Sequence, residues 1–164
     1  MKGNLVQKDG FTIIEVVLVL AIAGLIFLMI FIALPALNRS QRDAQRRDDV
    51  LLVLKKVKDY QTNNRGSLPS PGDWKTALSD YLRNDFVDPG GENYKLTAKN
   101  CGQSNLGKDC NASLGSSTQF PNGYTMQISI GATCDGEKAV ATKNIRKIAI
   151  QYKLEGGGIY CANS

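Results

Sequence analysis

From Phe11 to Leu37 the chain is apolar but for one ionisable side chain, Glu15, which falls in the first turn of the segment. A run of that length exceeds the roughly 20 residues needed to cross a bilayer, so it predicts a spanning helix. A carboxylate inside such a helix is costly, about 2.5–3.5 kcal/mol at the centre on insertion scales and less near an end. Glu15 therefore calls for compensation. Thr12 followed three residues later by Glu15 supplies one form of it, the sequence signature of a capping box.

The ten residues before the run are polar, with Lys2 and Lys8 against Asp9. They resemble the charged start of a secretory signal, yet the apolar stretch is about twice the usual 7–15 residues of such a signal. Ala33-Leu34-Pro35-Ala36 is also a poor cleavage site. An uncleaved signal anchor remains as one reading.

Gly10-Phe11 followed by Glu15 at the head of a long apolar helix resembles the processing site of type IV prepilins and of the pseudopilins of type II secretion. The resemblance covers about the first thirty residues. It implies cleavage by a prepilin peptidase between Gly10 and Phe11, N-methylation of Phe11, and a helix that packs in the core of a filament. The partners it implies are identical subunits, the peptidase and a pilus assembly platform, with the membrane as host before assembly. An amine on Phe11 would then stand one turn from Glu15, in the same subunit or a neighbour. Buried pairs of this kind set register better than they add stability. Gly24 and Pro35 are the expected helix breaks, since glycine costs about 1 kcal/mol and proline about 3 kcal/mol within a helix. Pro35 lies a few residues further from the cleavage point than the family's proline does.

Residues 38–66 read as an amphipathic continuation of the helix. Val50, Val53, Leu54, Val57 and Tyr60 recur at helical spacing. Arg39 with Asp43, Asp43 with Arg47, and Lys55 with Asp59 stand four apart, the spacing of helix-surface ion pairs. Asn63-Asn64-Arg65-Gly66 and the prolines at 69 and 71 predict the helix end. Between Arg39 and Asp59 there are seven basic and four acidic side chains. A literal positive-inside reading puts this side in the cytoplasm. The processing motif and the four cysteines argue for the exterior instead. A basic face also suits nucleic acid, a reading that ranks below packing between subunits.

Residues 67–164 have the composition of a small α+β domain. Asp73 is placed to cap a short helix through Trp74, Leu78, Tyr81 and Leu82, and Asp88-Pro89-Gly90-Gly91 is a turn. Strands are expected around Tyr94–Thr97, Gly123–Ile130, Val140, Ile148–Leu154 and, after Gly156-Gly157-Gly158, Ile159–Cys161. The expected fold class is α+β: a long N-terminal helix packed against a small antiparallel sheet, pilin-like. The loop from Asp88 to Tyr94 loosely resembles a pseudopilin segment near which relatives hold calcium, but its acids lack the spacing of a calcium loop. No metal or cofactor is expected.

Cys101, Cys110, Cys134 and Cys161 all lie in this domain and allow three pairings. The preferred pairs are Cys101 with Cys110, closing a polar loop, and Cys134 with Cys161, tying the carboxyl end to the sheet. A four-cysteine zinc site lacks any Cys-x₂-Cys pair. Without histidine, a nucleophile elbow or a phosphate loop, the chain offers no catalytic constellation.

The expectation is a type IV pilin: a single-pass precursor in the cytoplasmic membrane, its C-terminal domain outside, that becomes an extracellular filament subunit. A pseudopilin and a monomeric membrane-tethered binding module are the alternatives.

Overall fold

The computed structural model describes residues 10–70, 72, 74–82, 86–101, 106–110 and 124–164. Leader residues 1–9 and Asp73 thus lie outside the described residues. The chain divides into two units, residues 1–38 and 39–164.

Helix α1, Ile13–Asn63, runs through both units and continues without interruption past Gly24 and Pro35. In the first unit its most apolar window has a mean hydropathy of 3.2 and none of it is buried. That is a helix long and apolar enough to cross a membrane.

The second unit has its own core. The 39–63 part of α1 buries Val50, Val53, Leu54 and Val57 against Met126, Ile128, Ile150 and Tyr152 of a sheet. The apolar stripe read from the sequence is the face that packs. The helix ends where Arg65 and Gly66 take positive φ, 55° and 83°, and the Gly66 N–H bonds back to the Gln61 carbonyl at 2.6 Å. This is the left-handed closure that commonly stops a helix. Helix α2, Trp74–Ala77, continues in turns to Leu82, and Trp74 and Leu78 enter the same core.

The sheet contains β1, Lys95–Asn100; β2, Thr125–Ile130; β5, Ile148–Lys153; and β6, Ile159–Asn163, in the order β1-β2-β5-β6. A separate hairpin joins β3, Ala132–Asp135, to β4, Lys138–Ala141. The expected antiparallel sheet is corrected to a mixed one, because β1 pairs with β2 in parallel, Leu96 opposite Met126 and Ala98 opposite Ile128. A parallel pair needs a crossover of about a dozen residues or more, and the stretch from Cys101 to Tyr124 is long enough to make it. β2–β5 and β5–β6 are antiparallel.

Alternation along β5 separates two cores. Ile148, Ile150 and Tyr152 face the helix. Ala149 joins Ala132 and Ala139 in a smaller cluster on the other side, against Cys101, Cys110, Cys134 and Cys161. Two disulfides close there, Cys101–Cys110 and Cys134–Cys161. The second fastens hairpin strand β3 to sheet strand β6, where the Cys134 N–H also donates to Asn163 Oδ1 at 3.3 Å. Disulfides persist in oxidising compartments, which points this unit to an extracellular or similarly oxidising location.

Candidate functional site

The first unit places the sequence-derived residues together at one end of α1. Phe11 is 91% exposed, and every Val, Leu, Ile, Met and Phe side chain from there to Leu37 is at least 44% exposed. Soluble monomers rarely leave apolar patches beyond a few hundred Å², so this surface requires lipid or protein around it. Glu15 is satisfied within its own turn. Its Oε2 accepts from the Thr12 N–H at 2.9 Å and from the Thr12 hydroxyl at 2.8 Å. The Glu15 N–H returns a longer bond to Thr12 Oγ1 at 3.4 Å. The capping box predicted from the spacing is formed. Around the carboxylate, Phe11, Val16, Val19 and Leu20 line a shallow apolar groove with Glu15. A Cβ at Gly10 or Gly24 would meet nothing within 4 Å, so neither glycine is required by crowding within the chain.

The second unit contains a charged cluster that the sequence reading did not assemble. Arg46, almost fully buried, grips Asp88 with two bonds, Nε to Oδ2 at 2.7 Å and Nη2 to Oδ1 at 2.8 Å. Its third nitrogen reaches Asp43 at 3.0 Å and Glu155 at 3.1 Å. Asp88 also accepts from the Tyr152 hydroxyl at 2.7 Å and the Gly90 N–H at 2.7 Å. Asp43 accepts the backbone N–H groups of Glu155 and Gly156 at 2.8 and 2.7 Å. Arg42 completes the set with two bonds to Glu155, at 2.6 and 2.9 Å. One arginine of α1 thereby holds the 88–91 turn, strand β5 and the β5–β6 turn at once.

The electrostatics follow from these contacts. Burial pushes the Asp88 and Asp43 carboxyls up, but their bonds to Arg46, Tyr152 and backbone N–H groups outweigh it and hold both below the ordinary carboxylate range. The two Arg42 bonds are the main cause that lowers Glu155 to about 2. Asp49 goes the other way: burial raises it, and its partner is the Tyr94 hydroxyl at 2.6 Å rather than a cation.

No family model matches the chain, and no curated protein or solved structure does either.

The helix-surface pairs expected at four-residue spacing are replaced. Asp43 is taken by Arg46 at three-residue spacing, and Asp59 by Lys56 at 3.5 Å. Arg39 lies 3.8 Å from Glu155, and Arg47 stands over the Tyr160 ring at 5.8 Å. The excess of positive charge on residues 39–59 is thus partly spent on the domain itself. Among the described residues no group of three or more His, Cys, Asp or Glu side chains is placed to hold a metal ion. In the 88–94 loop, Asp88 is saturated by four protein donors.

A signal for Arg46 was present in the sequence. Asp43 and Arg46 continue the Val50, Val53, Leu54 and Val57 stripe backward at three- and four-residue spacing, and all six are buried. Charges on the apolar face of a helix announce a buried pair; the partner, 42 residues on, carries no such mark.

Proposed function

We propose that the chain is a type IV pilin-like subunit, cut after Gly10, methylated on Phe11 and polymerised through the helix that begins there. The observation that carries this reading is the junction itself. A glycine-phenylalanine step leads into a helix whose 13–37 part is apolar and exposed, with its lone acid in the first turn. Apolar burial between helices would supply cohesion, and Glu15, meeting an α-amine at Phe11, would set the stagger between copies. The second unit, tied together by Arg46 and two disulfides, would form the outward-facing part of each subunit. An origin as a single-pass membrane precursor fits the length and hydropathy of the same segment.

The test is the mass of the mature N-terminus together with Glu15→Ala. A methylated Phe11 and loss of sheared surface filaments, with precursor level and cleavage preserved, is the expected result. A polypeptide that starts at Met1, or normal filaments from the Glu15→Ala chain, would overturn the proposal. One observation favours a different reading, a monomeric tethered module: the Thr12–Glu15 cap already satisfies the carboxylate without any partner. The same N-terminal mass separates the two.

A further inference from the structure

The turn after α1 and the loop that carries Ile145 and Arg146 enclose an open groove of about 620 Å³. Its volume suits a small ligand or a few residues of peptide. Leu68, Pro69 and Ile130 form an apolar wall, and Ile145 stands on the rim 59% exposed. Two guanidinium groups, from Arg65 and Arg146, border it. Neither forms an ion pair among the described residues.

The backbone of Arg146 is held by two side chains. Gln61 of α1 donates to the Arg146 carbonyl at 3.0 Å, and the Arg146 N–H donates to Asn144 Oδ1 at 3.0 Å. The Arg146 guanidinium carbon lies 3.5 Å from where a Cβ on Gly66 would stand, so it rests against that turn. Arg65 has φ 55°, a left-handed conformation that costs a side-chain-bearing residue about 1–2 kcal/mol and that glycine adopts freely. The helix closure accounts for that conformation; what points to a ligand is two arginine side chains beside an apolar wall with no carboxylate paired to either among the described residues.

We propose that this groove binds an extended peptide by its terminal carboxylate, with an aliphatic side chain against the apolar wall. The arginine fork matches a carboxylate with two parallel bonds, and Arg65 adds a second positive charge at the same mouth. Asn100, at the end of strand β1, borders the groove and offers an amide to the peptide backbone. The site is independent of the assembly reading, since it uses no residue of the first unit.

The full chain in neutral detergent micelles is titrated with N-acetyl-leucyl-leucine, with the C-terminal amide of the same dipeptide, and with inorganic phosphate. The NMR signals of the Ile145 methyls and Arg146 Nε–H report occupancy. The free acid should bind saturably, and the amide and phosphate at least about tenfold more weakly, the worth of one charge-assisted contact. Arg146→Ala should weaken the acid by a similar factor. Arg65→Gly should weaken it too while leaving the fold as stable as before or more so, because the turn is relieved of strain. Equal binding of acid and amide would reduce the groove to an apolar slot, and equal binding of acid and phosphate to a plain anion site. Either result, unaltered affinity in Arg146→Ala, or no saturable shift with the acid, overturns the proposal.

Discussion

Arg46 and Asp88 face each other fork to carboxylate, with bonds of 2.7 and 2.8 Å, at the place where α1 meets the turn before β1. The Asp88 side chain has no solvent exposure, and that of Arg46 has 7%. Two further carboxylates and a tyrosine hydroxyl complete the set, and four hydrogen bonds leave the guanidinium for three carboxylates. Buried pairs add little over apolar residues of the same shape, but removing one partner strands the other.

Arg46→Met should therefore cost about 3–5 kcal/mol of unfolding free energy, the magnitude of an orphaned buried charge. Arg46→Met with Asp88→Asn should cost less than the single change, because the stranded carboxylate is gone. Denaturant unfolding followed by Trp74 fluorescence would give both values.

Acid should loosen the second unit in a defined window. Asp43, Asp88 and Glu155 hold folded-state values below their unfolded ones, so their contribution is complete above about pH 5 and is lost as pH falls from there through the folded values. For Glu155 that value is about 2. Asp49 has the opposite sign: its raised folded value means it costs stability as pH climbs past the unfolded value. Unfolding midpoints measured from pH 2 to 7 should fall on the acid side. Glu155→Gln should flatten that fall, and Asp49→Asn should raise the midpoint near neutrality only.

The two bridges should differ in weight. Cys134–Cys161 spans 27 positions and Cys101–Cys110 nine. In the chain-entropy description the longer loop stabilises by about 3.5 kcal/mol and the shorter by about 2.5–3. Paired Cys→Ser replacements, compared by denaturant midpoint, should rank in that order. A larger loss from opening Cys101–Cys110 would show that the smaller loop is instead needed to hold the β1–β2 crossover.

Glu15→Gln separates the two duties of Glu15. Glutamine keeps the capping box with Thr12 but carries no charge. If filament register needs the ion, this variant should fail to assemble as fully as Glu15→Ala while its helix, measured by circular dichroism in micelles, stays intact. Filaments from Glu15→Gln at normal yield would assign Glu15 to the cap alone.

The elements most legible in the sequence were those written in local pattern. The long apolar run, the stripe from Val50 to Val57, the stop at Arg65-Gly66 and the alternation in β2 and β5 each carry their own period. β3 was missed because Ala132–Asp135 is four residues long, all of them small or polar, directly after the turn at Gly131. The parallel pairing of β1 with β2 was missed because strand direction is set by the connection and not by the strand. Helix-surface ion pairs were misassigned for a related reason: Asp43 points inward, where burial and two backbone N–H groups outbid an exposed arginine four residues away. Glu155 has no local mark at all, and only the fold brings it to Arg42.

β6 forms one margin of the sheet, and a margin strand presents a free row of peptide groups to any strand that drifts near. No strand of the hairpin pairs with that margin; the Cys134–Cys161 bridge joins the hairpin to β6 through side chains alone. Wherever many copies are crowded together, the outer row of β6 is thus the place where a stray strand from a neighbour would add itself, and the bridge limits how far β6 can peel away to receive it.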